Sequence, residues 1–185
     1  SSLALKEISY FERLVEDLLF LAQVRDPSYQ EGHPLVNISE VLSDSVEDIN
    51  LRCQYSDPPI DVRIGNVENS PVEIFGDVHL IRRLLRNAIE NASSFAKSLV
   101  IVSLKTTSDQ QIEVLIDDDG PGFSEEALRA FGQRRISRKL DSQPNGRLSV
   151  GLGSVVMKTV CEAHRGKLEV SNRYLHANVL GARVR

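Results

Sequence analysis

Three short stretches of this chain hold residues whose types and spacing can do chemistry. Asn87 and Asn91 stand four apart in a helical pattern, so both carboxamides project from one face, a turn apart. Neutral amide oxygens suit a hard cation such as Mg2+, which takes its other oxygens from water and phosphates. Taken alone, the pair equally fits two solvated surface amides. The second stretch is Asp117-Asp118-Asp119-Gly120-Pro121-Gly122-Phe123, reached directly from the apolar run Ile112 to Ile116. A carboxylate at a strand end can accept a hydrogen bond from an exocyclic amine, and glycines let backbone approach a flat ring, a combination that suits adenine. A calcium loop fails on spacing, because no acids follow at alternate positions after Gly120. The third stretch, Ser149-Val150-Gly151-Leu152-Gly153-Ser154, opens a helical pattern. Glycines there expose N–H groups that can hold phosphate, with help from the helix dipole, although a lone Gly-x-Gly is also a common turn.

The elements that must position these residues follow from periodicity. Ile8, Phe11, Val15, Leu18 and Ala22 recur at spacings of three and four, which predicts a long N-terminal helix with one apolar stripe that wants a helical partner. Residues 1–27 form this unit, residues 28–34, with Gly32 and Pro34, a linker, and residues 35–185 the main domain. Within that domain the pattern predicts a short strand at Leu35 to Ile38 and a helix capped by Ser39 and running to about Cys53. Strands follow at Ile60 to Ile64 and Val72 to Phe75, then a helix from Asp77 to about Phe95. Strands at Leu99 to Leu104 and Ile112 to Ile116 flank a polar turn, and Ser124 opens a short helix. Gln133 to Ser149, poor in apolar residues, is expected to be a mobile loop. A helix near Gly153 to His164 and strands near Leu168 to Val170 and Val179 to Val184 complete the chain. Helices and strands mix without regular alternation. The fold class is therefore α+β, a two-layer sandwich with helices covering one face of a mixed sheet.

Bulk properties narrow the partners. The 185 residues are 41% apolar, enough for a real core, and 22 basic against 26 acidic residues leave a net charge of −4 with no sustained block of either sign. That argues against nucleic acid as a partner. Cys53 and Cys161 lack zinc-site spacing and are too few for a disulfide framework, which favours a reducing cytoplasm. No run approaches the roughly 20 apolar residues of a membrane span.

The order of these stretches is what decides: paired-Asn helix, two strands, Asp-x-Gly-x-Gly loop, lid, Gly-x-Gly helix. In this order the sequence resembles the GHKL superfamily of ATP-binding domains over roughly Asn37 to Arg185, and in particular the catalytic domain of bacterial sensor histidine kinases. The leading helix resembles the second helix of that family's dimerisation hairpin. The resemblance implies an ATP- and Mg2+-dependent protein-histidine kinase. Its γ-phosphoryl would pass to a histidine and then to an aspartate of a response regulator. It further implies a homodimer formed through the N-terminal helix and a cytoplasmic location within an inner-membrane sensor. By the same resemblance Asp118 accepts the adenine amine, Gly120 and Gly122 shape the pocket, Asn91 coordinates Mg2+ and Asn87 assists. Gly151, Leu152 and Gly153 hold phosphate, Arg138 is among the lid cations that reach it, Phe131 lies at the lid entry, and His164 is structural.

Superfamily ATPases carry a glutamate at the position of Asn87 to activate water. An amide cannot take that proton, which disfavours hydrolysis and favours phosphoryl transfer. Ser94 and Ser149 stand where the family usually has a cation and a glycine, so a nucleotide-binding regulatory module without transfer activity is the alternative. None of His33, His79, His164 and His176 has the family's acceptor context, which places the accepting histidine on a helix outside this chain. The chain alone is then expected to bind ATP without phosphorylating itself.

Overall fold

A computed structural model describes residues 33–67, 71–109, 111–133, 152–175 and 178–185, together with Val15, Glu16, Leu19 and Ala22. Those four early residues are helical, as expected, and Val15 and Leu19 are exposed (52% and 60%). The expected lid lies almost wholly outside the described residues.

The domain opens with β1 (Leu35–Asn37), which turns directly into α1 (Ile38–Cys53). The cap of α1 is Asn37, not Ser39: its carboxamide oxygen accepts from the Ser39 and Glu40 amides. Asn37 still has extended backbone, the conformation a capping residue needs, whereas Ser39 is already inside the first turn. Ile38, Val41, Leu42, Ser45, Val46 and Ile49 form the buried stripe of α1.

β2 (Asp61–Val67) leads to β3 (Glu73–Phe75), which pairs antiparallel with β1 to make a separate two-stranded sheet. Next comes α2 (Val78–Phe95), capped by Asp77, whose carboxylate accepts from the His79 and Leu80 amides. Its inner face is Leu80, Ile81, Leu85, Ala88, Ile89 and Ala92, a stripe at helical spacing.

The main sheet has the order β2-β4-β5-β7-β6, where β4 is Leu99–Thr106, β5 Ile112–Asp118, β6 Val170–Leu175 and β7 Asn178–Val184. The β2–β4 pair is parallel and the others are antiparallel, so the sheet is mixed. On β4, Val100, Val102 and Leu104 are fully buried while Leu99, Ile101 and Ser103 are half-buried, the alternation of a sheet with one covered face. Leu42, Ile89 and Met157 belong to the core that these residues build. The remaining helices are the short α3 (Glu125–Ala130), capped by Ser124, and α4 (Leu152–Ala163), which packs on α2 through Leu80, Val156 and Val160. This is the expected α+β sandwich.

Several strand boundaries moved, among them β2, which runs on to Val67, and β4, which runs on to Thr106; two of the shifts bear on the site. β5 continues through Asp118, because Asp117 and Asp118 still pair with Ile101 and Val100 of β4. β6 lies at Val170–Leu175, later than expected, since Ser171, Asn172 and Arg173 give an edge strand no apolar signature.

Candidate functional site

The three consecutive carboxylates at the end of β5 do three different things. Asp117 makes a bidentate pair with Arg183 of β7 at 2.6 and 2.7 Å, which ties two neighbouring strands together. Asp119 faces the other way along the chain and closes the turn after α2. It accepts from the Lys97, Ser98 and Leu99 amides at 2.8 to 3.1 Å and from the Ser98 hydroxyl at 2.6 Å. Burial pushes its carboxyl up, but the Ser98, Leu99 and Lys97 donors together hold it below the ordinary value.

Asp118 lies between them and is only 5% exposed. Its Oδ1 accepts from the Gly120 amide at 2.8 Å and the Ala182 amide at 3.2 Å. Both bonds fall on one oxygen, and among the described residues no donor reaches Oδ2, which leaves it for a donor from outside. Burial raises the carboxyl above its usual value, with the Gly120 and Ala182 amides pulling it back. A buried carboxylate held through one oxygen and open at the other is a poor structural device and a good receptor for an amine.

Glycines shape the space around it. A Cβ at Gly120 would overlap the Phe95 carbonyl oxygen, so the loop lies directly on the C-terminal end of α2. Gly122 has φ +78° and a Cβ there would stand 2.6 Å from Val179 and 2.7 Å from the Asn172 oxygen. That bend delivers Phe123, whose amide donates to Asn172 Oδ1 at 2.6 Å while Asn172 Nδ2 donates to its carbonyl at 2.9 Å. Phe123 then meets Phe131 edge-on, ring centroids 5.6 Å apart.

Asn87 and Asn91 are both half-buried on α2, and the start of α4 comes up against Asn87: a Cβ at Gly153 would lie 3.2 Å from Asn87 Oδ1. Asn87 Nδ2 donates to the Arg83 carbonyl at 2.9 Å, which fixes the rotamer and presents the oxygen towards α4. Among the described residues no hydrogen bond engages the Asn91 carboxamide. Two amide oxygens a turn apart on α2, the Asn87 one beside the start of α4, form a donor set that fits Mg2+ with phosphates, since among the described residues no donor engages either oxygen. Leu152 is the first residue of α4. Gly151 and Arg138 lie outside the described residues.

His164 is a fold element. Its Nε2 accepts from the Asp77 amide at 3.2 Å, so Nδ1 carries the proton that goes to the Val160 carbonyl at 2.8 Å. Sequence reasoning missed Asn172, Arg173, Gly181 and Arg183. Gly181 had a signal, an isolated glycine inside a strand pattern, which marks a close backbone approach. The others had none.

Residues 76–185, well over half of the chain, match the family described as histidine kinase-, DNA gyrase B-, and HSP90-like ATPase. The chain belongs to this ATPase family. Within it, the adaptive-response sensory kinase SasA of Synechocystis is 25% identical over 174 residues, 92% of this chain and 43% of SasA. The signal transduction histidine-protein kinase/phosphatase MprB of Mycobacterium leprae is 30% identical over 172 residues, 91% of this chain and 30% of MprB. The chain thus spans less than half the length of these curated relatives. A structure of the mycobacterial sensor histidine kinase MprB superposes with a TM-score of 0.65 at 24% identity, covering 83% of this chain and 94% of that one. Full-length ShkA in complex with AMPPNP gives a TM-score of 0.73 at 20% identity, covering 95% of this chain and 35% of that one. The fold of this ATPase-family domain is thereby that of histidine kinase catalytic domains. No described helix is long and apolar enough to cross a membrane.

Proposed function

We propose that this chain is the ATP- and Mg2+-binding catalytic core of a sensor histidine kinase. It would donate the γ-phosphoryl of ATP to a histidine on a helix outside this chain, from which a response-regulator aspartate takes it. Residues 1–27 would be the second helix of a dimerisation hairpin, residues 28–34 its linker and residues 35–185 the nucleotide-binding domain. Exposure of Val15 and Leu19 supports a homodimer through that helix.

The observation that carries the reading is Asp118, buried at the foot of the α2 helix with Oδ1 committed to two amides and Oδ2 open. In that position it accepts the exocyclic amine of adenine, with Gly120 and Gly122 keeping the loop thin enough for a ring to lie against it. Asn91, assisted by Asn87, would hold Mg2+, which neutralises charge on the phosphates when bound. Gly153, with Leu152 and Gly151, would offer phosphate the free amides at the start of α4. Arg138 would add a cation. Asn87 cannot act as a base towards water, so the site positions a phosphoryl group for an incoming histidine rather than hydrolysing ATP.

Replacing Asp118 by Ala is expected to weaken ATP binding by at least about tenfold, measured by calorimetry with and without Mg2+. Unchanged affinity would remove the basis of the proposal. One observation favours a second reading, a nucleotide-binding module that does not transfer phosphate. Ser94, where the family usually has a cation, turns its hydroxyl back to the Glu90 carbonyl at 2.7 Å and brings no charge to the site. A kinase restored with its acceptor helix and still forming no acid-labile phosphate would select that reading.

A further inference from the structure

The strand order places β7 between β5 and β6, and β5 pairs with β7 at Ile116↔Val184 and Asp117↔Arg183. The next residue back along β7 is Ala182, whose amide turns to the Asp118 carboxylate at 3.2 Å. The Asp118 main-chain oxygen is reached from the strand beyond. Arg173 of β6 donates from Nη1 to that carbonyl at 3.3 Å.

Its partner on β7 is Gly181, at φ +151°, where a Cβ would overlap the same Asp118 oxygen. The guanidinium therefore crosses β7 at the residue with no side chain. Its Nε also stands 3.6 Å from Asp117 Oδ2, and Asp117 is itself held by Arg183. Because successive side chains in a strand point to opposite faces, Arg173 works on the face of Asp117 while the Asp118 carboxylate points to the other.

We infer that Arg173 is a positioning residue for the nucleotide base: it fixes the Asp118 peptide from behind the sheet and so aims the Asp118 carboxylate at the amine of a 6-aminopurine. The inference rests on the adenine-binding role proposed above. It makes Arg173 a determinant of base preference while leaving the phosphate-binding end of the site, at Asn91 and Gly153, untouched.

The test compares Mg-ATP with the triphosphate of purine riboside, which has hydrogen where adenine has its amino group, by calorimetry on the full chain. Wild type should prefer ATP, and Asp118→Ala should abolish the preference. If wild type shows no preference, or Asp118→Ala keeps it, the adenine-binding role itself fails. Given that preference, Arg173→Met should reduce it severalfold, by less than Asp118→Ala does because the carboxylate remains but is no longer aimed, with the affinity for the purine riboside triphosphate unchanged. Arg173→Lys, which keeps a long cationic donor, should recover part of it. A preference intact in Arg173→Met, or equal weakening of both nucleotides, would overturn the inference and leave Arg173 a structural residue.

Discussion

Asp118 carries a cost that its two neighbours do not. Asp117 is paired with Arg183 and Asp119 is held by a cluster of uncharged donors, whereas Asp118 is buried with its carboxyl raised above the ordinary value. A raised acid binds its proton more tightly folded than unfolded. The resulting stability is present at low pH and lost as pH rises from the ordinary carboxylate value through the raised one. At neutral pH the ionised group therefore weakens the fold. Asp118→Asn should melt no lower than wild type at pH 7 and should lack that part of the pH dependence, seen as the difference between the two melting curves against pH. It should at the same time lose nucleotide affinity. A drop in melting temperature at pH 7 would show that the carboxylate serves the fold instead.

Elements are joined here by a few residues in unusual conformations. After α4 the chain reverses at Arg165, a non-glycine at φ +56°, and the Gly166 amide returns to the Cys161 carbonyl at 2.7 Å. This is a left-handed helix end where glycine is preferred. Arg165→Gly should therefore stabilise the domain by about 0.5–1 kcal/mol in urea unfolding, the strain relieved exceeding the added freedom of the unfolded chain. The His164 ring beside it already ties α4 to the start of α2 through the Asp77 amide. Those two helices carry Asn87 and Gly153, so this bond and the Leu80, Val156 and Val160 packing together hold the pair of helices that bring them close.

For the whole molecule, the proposal separates nucleotide binding from phosphoryl transfer. With radiolabelled ATP the 185-residue chain should bind nucleotide and acquire no acid-labile phosphate, whereas a longer form carrying the acceptor helix should acquire it. Labelling of the 185-residue chain would mean that one of His33, His79, His164 or His176 is an acceptor. His164 is poorly suited, since both its ring nitrogens are engaged in the fold.

The sequence by itself determined the elements whose signals are local. The 3.6-residue period of α2 put Asn87 and Asn91 on one face, the helix starts near Asp77 and at Ser124 were legible, and the Asp-Gly-Pro-Gly loop announced a special backbone after an apolar strand. Nothing local distinguishes Asp117 from Asp118 or Asp119. That division was decided by the tertiary structure, because it depends on which face each side chain meets and on partners 21, 64 and 66 residues away. The cap at Asn37 rather than Ser39 turned on one peptide's conformation, which β1 sets by pairing with β3. β6, Arg173 and Asn172 were hidden for the same reason: an edge strand read from its own residues is polar and silent, and acquires its meaning only when β7 lies beside it and Gly181 lets it reach the Asp118 peptide.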